Sequence, residues 1–402
     1  IDTGVDATHP DLIERIAGAR SFDPRRPDPR IDEFGHGTHV ASLACGTGDN
    51  AIGLAGAGLT CDLLAIKTNF SDSSVAASIV WATDHGADVI NMSFGNPPGY
   101  VASLPVRRAV EYAIARDVVL VAAAADQPID EQGHPANLLQ PMGTGADLSA
   151  GMGLTVTAAT ADDTRLTLAG KGSEISMAAY GSYADVLGPP GIFGAFTAAE
   201  NQLERGTDAA EPRPPCLCRT TLNGDKRYAY LEGTSMATAM VSGAAALIRG
   251  LNPDLDAADV VRLLKDRARR APGAGWTDDL GWGILDAGAA VREARDIDRR
   301  APSSHVEAMP GRAAPGSLTV RWTGRDRAPA GVKRAGLRRF ELWLAIDGGK
   351  PVRVLRTATA RWKARKFVVR AGRTYAFSTT AVDRAGNREK LPRRPDQTVV
   401  VA

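Results

Sequence analysis

The 402-residue chain has no long apolar run. The longest, Val118 to Ala125, is eight residues, whereas a helix crossing a membrane needs about 20. No transmembrane segment is expected. Net charge is nearly absent too, at +2, and by itself gives no reason to expect a nucleic-acid partner. Cysteine is sparse: Cys45, Cys61, Cys216 and Cys218 allow three pairings, and sequence does not choose among them. The Cys216-Leu217-Cys218 spacing is not that of a zinc knuckle, and no second Cys/His pair lies near it. These residues read as structural or free thiols, with disulfides expected only if the protein is exported. The chain also lacks an internal repeat, an initiator Met and a charged-then-apolar leader. Ile1-Asp2-Thr3-Gly4 reads as the end of a buried strand entering a turn, so a fragment or processed form is expected. The missing leader then says nothing about compartment.

What is present suits a globular chain of two or three domains, with 44% apolar and 23% charged residues. The small net charge hides a split. Residues 301–402 carry 22 Lys+Arg against 7 Asp+Glu, a net of +15, which leaves −13 on residues 1–300. Such asymmetry predicts two units with different surfaces. Between 60 and 300 short apolar runs (Leu63 to Ile66, Ala87 to Met92, Val118 to Ala124) alternate with helical patterns at Val75 to Asp84 and Leu104 to Arg116. That order predicts a parallel sheet covered on both faces. Gly/Pro-rich stretches, Gly188-Pro189-Pro190-Gly191 and Glu211 to Pro215, mark a long irregular insertion over about 182–228. A linker at Arg299 to Ser304 separates a first domain, 1–298, from a second, 301–402. In the second, Leu318, Val320 and Trp322, then Phe340, Leu342, Leu344 and Ile346, then Tyr375, Phe377, Thr379 and Ala381 alternate with their neighbours. Six or seven such strands predict an all-β sandwich. Its Tyr375 to Asn387 stretch, with Trp322 on an earlier strand, resembles fibronectin type III modules.

Three segments of the first domain carry chemistry. Asp2-Thr3-Gly4 places an acid where a strand ends. Gly35-His36-Gly37-Thr38-His39-Val40 places a histidine at the start of an apolar helix, and Gly233-Thr234-Ser235-Met236-Ala237 opens a small-residue helix. A serine hydroxyl is a weak nucleophile until a base takes its proton, and a carboxylate fixes the tautomer of that base. A helix start adds backbone N–H groups and the positive end of the dipole for an oxyanion. Singly, Asp2 reads as a turn former, His36 as a packed or capping residue and Ser235 as an N-cap.

Together, in the order Asp, His, Ser, the three segments resemble the signature motifs of the subtilases, the subtilisin-like serine proteases. Asn91-Met92-Ser93-Phe94-Gly95 is similar to the family's substrate-lining strand, and Leu280 to Ala287 to its closing segment. The resemblance covers about 1–295. It implies an α/β fold, a three-layer αβα sandwich with a mainly parallel sheet, and peptide-bond hydrolysis through an acyl-enzyme. Asp2, His36 and Ser235 would be the catalytic triad. His39 would pack under the helix. Ser93, Phe94 and Gly95 would bind the substrate backbone, with core packing the other reading of Phe94. It implies an extracellular or cell-envelope location and a protein or peptide substrate. No cofactor is expected; calcium is allowed by the family, but no site is identifiable.

Two positions depart from the family pattern. Asp126 stands where an Asn amide donates to the oxyanion, and Ala239 replaces a Pro four residues after the nucleophile. An ionised carboxylate cannot donate, so Asp126 must be protonated, or a water must serve, for full activity. A catalytically weak or inactive binding protein on the same scaffold is the alternative reading. The basic second domain reads as a solvated surface, as a dock for the acidic first domain, or as an adhesion surface for an anionic polymer. Nucleic acid is not expected, since no binding motif accompanies the charge.

Overall fold

Short aliphatic runs separated by helical stretches become parallel strands joined by helical crossovers, because parallel pairing requires a long return path. The computed structural model describes residues 1–183, 191–207, 214–357, 359–361 and 363–402. It divides into two compact units, Ile1–Ala294 and Arg295–Ala402. In the first unit β1 (Ile16–Ser21) pairs in parallel with β2 (Leu63–Lys67). A four-stranded parallel sheet follows the order β3 (Val89–Met92), β4 (Val119–Ala123), β5 (Leu154–Ala159), β6 (Met177–Tyr180). Ile1 and Asp2 bridge the two. Asp2 pairs with Lys67, and the Ile1 amine donates to the Asn91 carbonyl at 3.0 Å.

The helices are α1 (His36–Cys45), α2 (Asp72–Asp84), α3 (Leu104–Ile114), α4 (Ala136–Leu139), α5 (Gln202–Arg205), α6 (Thr234–Leu251), α7 (Ala257–Asp266) and α8 (Ala287–Asp296). Strand β4 is buried on both sides. Val118, Leu120 and Ala122 face a core shared with Ile79 of α2 and Val106 and Val110 of α3. Helix α6 packs against β3 to β6 and against α1. Its small residues permit that double contact. A Cβ on Gly243 would lie 2.5 Å from the Ala44 carbonyl oxygen.

The insertion expected to be irregular over 182–228 carries regular structure in its described residues. Its described part forms an antiparallel sheet, β7 (Ile192–Ala195), β9 (Asp225–Leu231), β8 (Arg219–Leu222), in that spatial order. The reason is local: Asn223 and Gly224, at φ 50° and 86°, make the two-residue turn that suits a right-twisted hairpin. Most of the Gly188 to Gly191 and Glu211 to Pro215 stretches lies outside the described residues. The cysteines, read as structural or free thiols unless the protein is exported, form the pairs Cys45–Cys61 and Cys216–Cys218.

The described residues of the second unit form eight strands: β10 (Ser303–Val306), β11 (Arg312–Ala313), β12 (Gly316–Arg325), β13 (Leu337–Ile346), β14 (Val352–Arg356), β15 (Ala364–Val369), β16 (Arg373–Asp383) and β17 (Gln397–Val401). One sheet runs β10-β12-β15, the other β11-β17-β16-β13-β14, and pairing is antiparallel except between β11 and β17. Trp322, Val320, Phe340, Phe377 and Val399 fill the space between them, each fully buried. Among the described residues no helix is long and apolar enough to cross a membrane. Phe340→Ala should cost about 3–5 kcal/mol through the cavity it leaves, read as a drop in the unfolding transition of this unit by calorimetry. Val368→Ala, at an 83% exposed position, should leave that transition in place.

Candidate active site

The site is assembled where a strand-end turn meets a helix start. Asp2 Oδ1 accepts from His36 Nδ1 at 2.8 Å and from the Thr3 N–H at 2.7 Å. His36 is the first residue of α1, and its neighbours must be small for the turn to reach it. A Cβ on Gly37 would fall 2.2 Å from the Gly4 carbonyl oxygen, and Gly35 caps the helix at φ 95°. Gly4 itself holds φ 112°, a conformation closed to most side chains. Thr3 locks the turn to the helix: its hydroxyl accepts the Gly37 N–H and donates to Asp32, both at 2.9 Å.

Sequence reading missed Asp32, which organises this corner. Its buried carboxylate accepts the N–H groups of Phe34, Gly35 and Thr38 and the Thr38 hydroxyl, at 2.7–3.1 Å. The Gly35 and Thr38 amides are among the donors a helix start leaves unpaired. An acid four residues before His36, next to an apolar helix, was the available signal. Lys67 was missed as well. It is 1% exposed, and its ammonium donates to the Ile31 carbonyl and pairs with Glu33 at 2.6 Å, fixing the loop that carries Asp32.

Burial pulls the His36 imidazolium down, but the charge and hydrogen bond of Asp2, with smaller help from Asp32 and Asp126, outweigh it and raise the pKa above 6.5. The same contact acts in reverse on Asp2. Burial pushes its carboxyl up, and the His36 charge and hydrogen bond bring it below the ordinary range. His39 differs entirely. It is fully buried, its Nε2–H donates to the Ile192 carbonyl at 3.0 Å, and desolvation, followed by the nearby His36 charge, lowers its pKa to about 3. It stays neutral and packs against Gly194, where a Cβ would overlap the ring.

Ser235 is the second residue of α6, after an N-cap glycine at φ 135°. Its hydroxyl donates to the Ser93 carbonyl at 3.1 Å, and the Ser93 hydroxyl returns a bond to the Ser235 carbonyl at 2.9 Å. The end of β3 is thereby tied to the start of α6. Phe94 is half-buried beside Phe70 and the α2/α3 core, and Gly95 is exposed. Asp126, also exposed, accepts the Thr234 N–H at 2.8 Å and lies 2.9 Å from the Thr234 hydroxyl. Its carboxylate therefore sits at the mouth of α6 as an acceptor. Among the described residues, Asp298, Asp326 and Asp383 of the second unit bring carboxylate oxygens within 4.8 Å of one another. Backbone N–H groups bond all three.

The Subtilase family profile matches residues 1–283. Subtilisin BL of Lederbergia lenta is 31% identical over 297 residues, 73% of this chain and 89% of that protein. M-protease of Shouchella clausii is 31% identical over the same share of this chain and 63% of its own length. A solved protease of Pseudoalteromonas arctica superposes with a TM-score of 0.58 at 25% identity, covering 73% of this chain and 88% of that one.

The Asp2–His36 contact predicts a pH effect. In the role of general base proposed below, His36 must be neutral, so kcat/KM should rise as pH passes up through its raised pKa. Asp2→Asn removes the charge that raises it, and should move that limb to lower pH. It should also reduce kcat by about 10⁴, the loss the equivalent change causes in trypsin. An unmoved limb would mean that Asp2 does not set the charge state of His36.

Proposed function

The chain belongs to the subtilase family of serine proteases, and we propose that it is an endopeptidase working through Ser235, His36 and Asp2. The observation that carries this reading is the 2.8 Å bond from His36 Nδ1 to the buried Asp2 carboxylate, which leaves Nε2 as the free basic nitrogen. In the proposed cycle Ser235 exchanges its bond to Ser93 for one to His36 Nε2 and attacks the scissile carbonyl. His36 takes the proton and passes it to the leaving amine, and water then resolves the acyl-enzyme by the same route. Ser93, Phe94 and Gly95 line the substrate backbone. The Ser235 N–H at the start of an 18-residue helix serves the oxyanion. Asp126 offers that oxyanion no donor while its carboxylate is ionised. The family match gives no support to a non-catalytic scaffold.

The same reading places the protein outside the cytosol, where disulfides persist, and makes protein or peptide its substrate. The three-against-five strand grouping of the second unit supports a fibronectin type III-like module.

Ser235→Ala should abolish hydrolysis and labelling by a fluorophosphonate, and wild-type rates in the purified variant would sink the mechanism. Asp126→Asn keeps an oxygen for Thr234 and adds an N–H donor. It should raise kcat at neutral pH by up to about 10²-fold. An unchanged kcat would show that Asp126 does not face the oxyanion.

A further inference from the structure

The basic cluster between Arg353 and Lys366 is divided by the fold: Arg353 and Arg356 lie on β14 of the five-stranded sheet, Arg365 and Lys366 on β15 of the other. On the five-stranded sheet the first two meet Arg339 and Glu341 of β13 and Arg388, beyond β16. Glu341 is 4% exposed and Arg339 5%. Four guanidiniums approach this one carboxylate, Arg353 at 3.3 Å, Arg388 at 3.5 Å, Arg339 at 3.6 Å and Arg356 at 3.8 Å. Among the described residues, no other carboxylate lies within 4.0 Å of any of them. Only Arg353 hydrogen-bonds to Glu341, while Arg339 Nε and Glu341 Oε1 are buried without a hydrogen-bond partner.

A buried carboxylate needs a compensating charge, and one guanidinium supplies it. Three more are unnecessary for the fold and repel one another. Arg353, Arg356 and Arg388 remain 46%, 55% and 59% exposed at their side chains. Each guanidinium has five N–H donors, so most of these point at solvent around a residual charge of about +3. Glu341 thus acts as an inner anchor that gathers the forks, and Arg339 adds desolvated charge beneath them. We propose that this face binds tetrahedral oxyanion groups, phosphate or sulfate, borne by an anionic polymer. Such groups present two or three terminal oxygens each in tetrahedral geometry to the guanidinium forks and repeat their charge along the polymer, so several forks are engaged at once, which a single planar carboxylate does not achieve. The site belongs to the second unit alone and is independent of the peptidase reading.

The test is calorimetric titration of the full chain, carrying Ser235→Ala so that no peptide is cleaved, at low salt with inorganic polyphosphate and with polyglutamate of matched charge. Polyphosphate should bind at least about tenfold more tightly than polyglutamate. Arg353→Gln with Arg356→Gln should weaken polyphosphate binding at least about tenfold, and Arg388→Gln alone should weaken it in the same direction. Arg365→Gln with Lys366→Gln removes two charges from the other sheet and should cost less than about threefold. With Ser235 retained, the same Arg and Lys substitutions should leave peptidase activity unchanged, which separates this site from the catalytic one. Equal losses in the two double variants would reduce the effect to net charge. Polyglutamate binding as tight as polyphosphate would give the face to acidic protein surfaces. Either result overturns the proposal.

Discussion

A carboxylate buried 2.8 Å from an imidazole is the contact around which the first unit is arranged. Two opposite charges about 4 Å apart at an effective dielectric of 20 attract by about 4 kcal/mol, but only if both are held where desolvation would otherwise discharge them. Holding them requires room and donors. Gly37 and Gly4 give the turn room to press against the helix start, and Thr3 bonds across the joint. Asp32 then takes up the unpaired helix-start amides, and the buried Lys67 to Glu33 pair fixes the loop bearing Asp32. Each element would be costly alone. Together they leave His36 one degree of freedom, the choice of partner for its second nitrogen.

Helix α6 answers a different demand. It must lie against the parallel sheet on one side and α1 on the other, and small residues allow both approaches. That packing fixes its first turn, so Ser235 and its backbone N–H are positioned by the core rather than by a loop. Asp126 enters at the same point and bonds the Thr234 amide. A negative group is stabilising at a helix N-terminus, and in the proposed mechanism it occupies ground that the developing oxyanion would also seek. On that proposal, stability of the helix start and stabilisation of the transition state compete for the same dipole.

The second unit shows how far net charge underdescribes a surface. Its excess of 15 positive charges is not spread evenly, since four arginines converge on one buried glutamate while neighbouring basic residues point from the other sheet. Strand pairing creates that convergence. Glu341 stands opposite Arg356 in the β13 to β14 register, and Arg353 opposite Trp343.

By itself the sequence determined the parallel strands, the helices between them and the β-sandwich, because burial on both faces, amphipathic periods and strict alternation are local properties of the chain. It also determined Asp2, His36 and Ser235 as the residues to watch, since each sits in a short motif whose glycines have steric reasons to be there. The Asn223-Gly224 hairpin was equally legible and was overlooked beside the proline-rich stretches that flank it. Only the tertiary structure decided the cysteine pairing, the role of Asp32 as acceptor for a helix start, the burial of Lys67 and the Glu341 cluster. Each joins residues from separate elements, and no local pattern encodes which strand will lie beside which.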